Sequence, residues 1–158
     1  MIFKSFNKLK KSELKLIINE HYNFWLKYAS YLNFTEERNK FIEVSRNTNK
    51  LPIGFALFND NELIGFACIA LNNIKAYKHL YLWITNVLIL EKHRHKGYGK
   101  IIINHCLEIA KNLNYEKIYV WTTTAPKFYE SIGFDFIENF NHYNKIATLL
   151  SFNLTKKE

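Results

Sequence analysis

One stretch constrains the fold more than any other: Val87-Leu88-Ile89-Leu90-Glu91-Lys92-His93-Arg94-His95-Lys96-Gly97-Tyr98-Gly99-Lys100. An apolar strand runs into a basic, glycine-bearing loop that opens directly into a helix, read over residues 97–113 from Tyr98, Ile102, Cys106, Ile109 and Leu113. The first backbone N–H groups of a helix have no intrahelical partner, and the aligned peptide dipoles add about half a positive charge there. Glycine lets the backbone come close to an oxyanion, so the stretch is a candidate phosphate or pyrophosphate cradle. Two familiar phosphate loops do not fit it. The Walker A loop requires G-x-x-x-x-G-K-[ST], but Arg94 stands at the first glycine and Ile101 follows Gly99-Lys100. The dinucleotide fingerprint requires a third glycine, and Ile102 sits there. What remains is R-x-x-G-x-G, Arg94-His95-Lys96-Gly97-Tyr98-Gly99, between a strand and a helix.

The spacing of apolar residues orders the rest of the chain. Residues 1–6 read as a short strand. A helix is expected over 12–32, with Ser12 as N-cap and Leu14, Ile17, Ile18, Tyr22, Trp25 and Leu26 on its apolar face. A second starts at the N-cap Thr35, with Glu36 and Glu37 in the first turn that the dipole favours. Strands follow at 52–58 and 62–71 around the hairpin signal Asn59-Asp60-Asn61. A third, over 79–90, is nearly continuous in apolar residues from Leu80, as a strand buried on both faces should be. After the helix come a strand over 117–122, a short helix over 126–132, and closing strands over 134–140 and 146–154. The order β-α-α-β-β-β-α-β-α-β-β describes a mixed α/β sheet, with residues 1–158 as one domain.

Composition narrows the chemistry. Twenty-two Lys and Arg against 14 Asp and Glu leave a net charge of +8, which suits an anionic partner without naming one. Asp60 and Asp135 are the only aspartates, a poor supply for clustered Mg²⁺ or Ca²⁺ ligands, and the His93-x-His95 pair has no third ligand nearby; no metal is expected. No apolar run approaches the ~20 residues that span a bilayer, so no membrane partner is expected. Cys68 and Cys106 sit in apolar runs, form no CxxC pair and read as core residues, which makes a reducing cytoplasm the expected location. Lys8, Lys10, Lys11, Lys156 and Lys157 read as solvated surface.

Beyond the loop comes Phe128-Tyr129-Glu130-Ser131-Ile132-Gly133-Phe134. With both segments in order, the chain resembles the GNAT superfamily of acyl-CoA N-acyltransferases, whose signature is an [RQ]-x-x-G-x-[GA] loop after the fourth strand and an F-Y-E-x-x-G-F segment after the fifth. Glu62-Leu63-Ile64-Gly65 lies where the family's central hairpin carries "ELIG". Trp83 ahead of Arg94, and Thr122 ahead of the FYE segment, resemble a bacterial subgroup, although Val120 replaces the Leu of its L-x-T pattern. The resemblance implies the GNAT fold, a mostly antiparallel sheet with its fourth and fifth strands splayed apart. It implies an acetyl-CoA-dependent N-acetyltransferase acting on a primary amine (a small molecule, a peptide N-terminus or an aminoacyl group) by direct attack in a ternary complex.

Residue by residue, the resemblance implies that the backbone of Arg94, His95, Lys96, Gly97, Tyr98, Gly99 and Lys100 holds the coenzyme A pyrophosphate. The side chains of Arg94, Lys96 and Lys100 would add positive charge. Strand positions Val87, Leu88 and Ile89 would pair with the pantetheine arm, with Thr122 and Phe128 beside the cofactor. Tyr129 would protonate the departing thiolate, a task its phenol suits in a nearly dry site. Trp25, His79, Trp83 and Thr85 fall in segments expected to face the acceptor. Some relatives carry a glutamate base on the fourth strand, whereas Trp83-Ile84-Thr85-Asn86 holds no carboxylate; His79 and Glu20 are substitutes acting through water.

Two other classes stand beside this one. A GNAT fold could bind acyl-CoA or RNA without catalysis, and the basic surface could serve nucleic acid, whose binding would weaken steeply with salt. Within the enzyme reading, nucleic acid enters only as an aminoacyl-tRNA substrate, and a homodimer is admitted.

Overall fold

A computed structural model describes residues 1–155; Lys156 and Lys157, read above as solvated surface, lie outside the described residues. Seven strands and four helices follow one another as β1 (Ile2–Ser5), α1 (Lys11–Leu26), α2 (Phe34–Arg46), β2 (Ile53–Asn59), β3 (Glu62–Leu71), β4 (Leu82–Ile89), α3 (Tyr98–Lys111), β5 (Lys117–Thr122), α4 (Pro126–Ile132), β6 (Asp135–His142) and β7 (Lys145–Asn153). The order is the expected one. The strands form a single sheet, β1-β2-β3-β4-β5-β7-β6, antiparallel throughout except for the parallel pair β4 and β5. This is the GNAT fold.

Alternation along the strands serves two helical layers. From β2, Phe55 and Leu57 join α3 residues Ile102, Ile103 and Cys106 on one face. On the other, Ala56 and Phe58 join Ile17, Ile18, Phe41 and Val44 of α1 and α2. Both cysteines are buried core residues, Cys68 on the β3 face toward α1 and α2 and Cys106 on the face of α3 toward the sheet.

Element ends moved where local hydrogen bonding outweighed periodicity. The N-cap of α1 is Lys10 rather than Ser12, because the Glu13 carboxylate accepts the Lys10 backbone N–H at 2.8 Å. Its last turn tightens at Trp25, whose carbonyl accepts from Tyr28 and Ala29, so the helix stops at Leu26 rather than residue 32. Asn33, not Thr35, caps α2: its side-chain oxygen accepts the Glu36 N–H at 3.1 Å. The third strand starts at Leu82, not residue 79, because Lys75–Tyr77 form a 3₁₀ turn extended by the Leu80 N–H to the Tyr77 carbonyl. Asp60 and Asn61 both adopt positive φ (47° and 65°), as a tight hairpin with this strand twist requires.

Two irregularities open the sheet on either side of β4. The β3–β4 ladder loses register between Phe66 and Cys68, and opposite that break Asn86 takes a left-handed conformation at φ 54°. On the other side, β4 and β5 meet only at Trp83 opposite Tyr119. Past that pair the strands splay, leaving residues 84–89 with an unpaired edge toward β5.

Candidate active site

The loop leaving β4 is held at both ends. The Arg94 Nε donates to the carbonyl of Ile89 at 3.0 Å, and its guanidinium stands 5.2 Å from the ring centre of Phe24 on α1. His95 (φ 60°) and Gly97 (φ 84°) are both left-handed, an arrangement that turns successive backbone N–H groups toward one concavity. Gly97 is the N-cap of α3, and a Cβ built there would meet nothing within 4 Å. At Gly99 a Cβ would come within 3.0 Å of the Phe128 ring, so glycine is what lets α4 approach the start of α3. Lys96 is turned away: its ammonium donates to the Lys92 carbonyl at 2.9 Å and does not line the cleft. The positive side chains at the cradle are therefore Arg94 and Lys100, a correction to the expected three.

The splay opens a cleft of about 890 Å³ between residues 84–89 on one wall and 120–125 on the other. Every sequence-predicted site residue lines it except Lys96, His79, Trp83 and Glu20. Thr122 contributes in a second way, since its Oγ1 accepts the N–H groups of Thr124 (3.3 Å) and Ala125 (3.0 Å) and so shapes the turn into α4. Tyr129 follows on α4, 6% exposed, its ring packed on Phe128 and Phe134 at 5.0 and 5.5 Å. Its hydroxyl makes no hydrogen bond to protein among the described residues, and burial pushes its pKa well above the ordinary value. Gly133, at φ 115°, ends α4 as a left-handed C-cap.

The acceptor side departs further from the sequence reading. Trp83 is fully buried: its indole N–H donates to the Leu80 carbonyl at 2.9 Å and its ring packs against Tyr119 at 5.5 Å, so it is a core residue. His79, exposed in the segment ahead of β4, neighbours Tyr77 at 6.3 Å and stays off the cleft, as does Glu20. Four histidines line the cleft instead, His93 and His95 on the loop, His142 on β6 and His21 on the buried stripe of α1 with Ile17 and Ile18. His21 is 4% exposed, its Nε2 lies 3.2 Å from the Glu37 carboxylate of α2, and Lys40 binds the second Glu37 oxygen at 2.8 Å. The His21 hydrogen bond, opposed by burial and aided by Lys40, holds the Glu37 carboxyl down to about 2. The ionised Glu37 carboxylate accepts from Nε2–H, and Nδ1 is buried with no hydrogen-bond partner among the described residues. The one legible sign of this pair was the placement of His21 four residues after Ile17 and before Trp25, on an otherwise apolar stripe.

Because the carboxyl of folded Glu37 titrates well below its ordinary 4.5, its contribution to stability is present above pH 4.5 and lost as pH falls toward 2. Glu37→Gln should cost roughly 2–3 kcal/mol at pH 7. Denaturant unfolding of both proteins should show that difference shrinking between about pH 4.5 and 2.

Among the described residues, no group of three His, Cys, Asp or Glu could hold a metal ion, and no helix is long and apolar enough to cross a membrane. An aminoglycoside 6'-N-acetyltransferase solved with coenzyme A superposes on this chain with a TM-score of 0.77, covering 100% of it and 99% of that protein at 14% identity. A spermidine N-acetyltransferase chimera from Vibrio cholerae aligns with a TM-score of 0.73 over 98% of this chain and 95% of its own at 19% identity. These likenesses are of fold. By sequence, 75 residues (46% of the chain) are 35% identical to the uncharacterized N-acetyltransferase CgeE of Bacillus subtilis (strain 168), a match spanning 27% of that protein's length. Residues 14–134 match the acetyltransferase (GNAT) family, and on that match, which takes in both the Arg94–Gly99 loop and Tyr129, the chain belongs to this family.

Proposed function

We propose that this protein is an acetyl-CoA-dependent N-acetyltransferase, its residues 1–158 acting as one domain, that acetylates a primary amine by direct transfer in a ternary complex. One observation carries the reading: an unpaired strand edge, a left-handed amide cradle at a helix start and a buried, unpartnered phenol open onto the same cleft. The residues suit the ligand. Backbone amides of Gly97 to Lys100, with the charges of Arg94 and Lys100, match a pyrophosphate. The open edge at Val87, Leu88 and Ile89 offers backbone groups to an extended amide-bearing arm, with Thr122 and Phe128 across from it.

The chemistry then needs three things from the chain. The neutral amine nitrogen forms a bond to the thioester carbonyl carbon as the carbon–sulfur bond breaks, so the strand edge must hold carbonyl and amine in line. The sulfur departs with the electron pair of that bond, and the Tyr129 hydroxyl delivers a proton to it. The nitrogen must lose a proton, and among the described residues no carboxylate lines the cleft to take it. Histidines, His21 of α1 and His142 of β6, are the side chains on the acceptor wall that can take it, and an α-amino group, with a pKa of about 7.7–8.0, needs less help than a lysine.

Calorimetric titration with acetyl-CoA tests the reading. Wild type should bind in the micromolar range. Gly97→Glu, which puts a negative side chain into open space at the cradle, should weaken binding at least tenfold. Absence of binding to wild type would make the loop structural and end the enzyme reading. The carboxylate-free stretch Trp83–Asn86 favours one second reading, a non-catalytic acyl-CoA-binding module, which predicts binding without thiol release for any amine.

A further inference from the structure

The acceptor end of the cleft has an unusual charge pattern for an amine-binding site. The cleft walls carry Arg94, Lys100 and four histidines, and among the described residues no Asp or Glu lines it. Glu37 lies behind His21 and is already bound by His21 and Lys40. In place of carboxylates the walls present rings: Trp25, Tyr28 and Tyr31 from α1 and the turn after it, and Trp121 with His142, whose rings are 4.6 Å apart.

Ring faces can hold an ammonium, but two near this end are already engaged by the protein's own cations. Lys145 stands 4.6 Å from the centre of the Tyr28 ring, and Arg94 stands over Phe24. A polyamine or aminoglycoside would bring several further ammonium groups into a site that offers them no counter-charge, and each would lose hydration without recompense. The buried polar atoms ask for the opposite partner. The Trp25 Nε1–H is buried with nothing to donate to among the described residues, and an indole nitrogen can only donate. It calls for an oxygen acceptor on the ligand, which no ammonium supplies.

Resting on the acetyltransferase reading above, we infer that the acceptor is a primary amine carried on a ring with a stackable face, bearing an oxygen acceptor and no second cationic group. An aromatic amine and an amino sugar share that chemistry.

Thiol release from acetyl-CoA, measured with five amines, tests it. Tyramine is the aromatic arm, glucosamine 6-phosphate the sugar arm, ethanolamine the ringless control, and spermidine and kanamycin the polycations. At least one ring monoamine should show a kcat/KM tenfold or more above ethanolamine and above both polycations. Trp121→Ala should raise the KM of that amine at least tenfold and leave the KM of acetyl-CoA within twofold. Tyr31→Glu, at a position 59% exposed, should raise kcat/KM for spermidine at least tenfold by supplying the missing carboxylate. Spermidine or kanamycin equalling the ring amines in wild type would overturn the inference. So would release at the hydrolysis rate with all five amines when calorimetry shows acetyl-CoA bound. Failure to bind acetyl-CoA at all would instead remove the acetyltransferase reading.

Discussion

Tyr129→Phe should lower kcat by about 10²- to 10⁴-fold, the range lost when a general acid is removed, with the melting temperature unchanged. The two halves of this expectation have separate physical causes. The ring of Tyr129 is packed between Phe128 and Phe134, and phenylalanine keeps that packing. The hydroxyl has no protein partner among the described residues, so its removal leaves no orphaned group to destabilise the fold. Acid function also has a pH signature. Burial raises the phenol above its ordinary value near 10, so it stays protonated through the whole assay range. The wild-type rate should therefore show no alkaline fall attributable to this group below pH 10, while any acidic limb reports loss of the neutral amine. Steady-state thiol release from pH 6 to 10, beside thermal unfolding of both proteins, provides the measurement. A variant with full kcat would remove Tyr129 from the chemistry.

Gly65→Ala should be the most damaging small substitution in the sheet. A Cβ at Gly65 would lie 2.5 Å from the Leu88 carbonyl oxygen, 2.8 Å from the Ile89 side chain and 3.0 Å from that of Ile102. The first of these is backbone, so relief requires moving β4 rather than turning a rotamer. Overpacking of this kind costs roughly 1–3 kcal/mol, or about 2–12 °C in melting temperature for a chain of this size. Leu88 and Ile89 are also the strand positions proposed to hold the pantetheine arm. The same substitution should therefore weaken acetyl-CoA binding well beyond what its folding cost explains at 25 °C, where the folded state still dominates. Thermal unfolding and calorimetry on the same preparation separate the two effects. Binding that survives a large loss of stability would show that the edge of β4 is not part of the cofactor site.

Residues fixed by short-range spacing were legible. Arg94-x-x-Gly97-x-Gly99 after an apolar strand announced the cradle, and Phe128-Tyr129-Glu130 with Gly133 announced the short helix and its left-handed end. The alternation in 52–58 and 62–71 announced the hairpin whose Gly65 presses on β4. What failed to show was direction. Trp83 and Thr85, two residues apart on one face of β4, were indistinguishable as acceptor residues, and only the parting of β4 from β5 beyond the Trp83–Tyr119 pair leaves Thr85 on the cleft and Trp83 in the core. His21 and Glu37 lie 16 residues apart on two helices, and no local rule pairs them. Lys96 carries the same charge as Lys100 but spends it on the Lys92 carbonyl.

The amino-acid sequence by itself determined the order of elements, the strand-to-helix cradle and the tyrosine that follows it. Each depends on backbone hydrogen bonding and burial periodicity within a few residues, which side-chain identity controls directly. Tertiary structure alone decided that β4 and β5 part beyond Trp83, that His21 rather than His79 reaches the cleft, and that its acceptor end is walled, among the described residues, by rings without a carboxylate. Those facts depend on how sheet and helices pack across long chain separations, where the lowest free energy is set by all contacts together and not by any one segment.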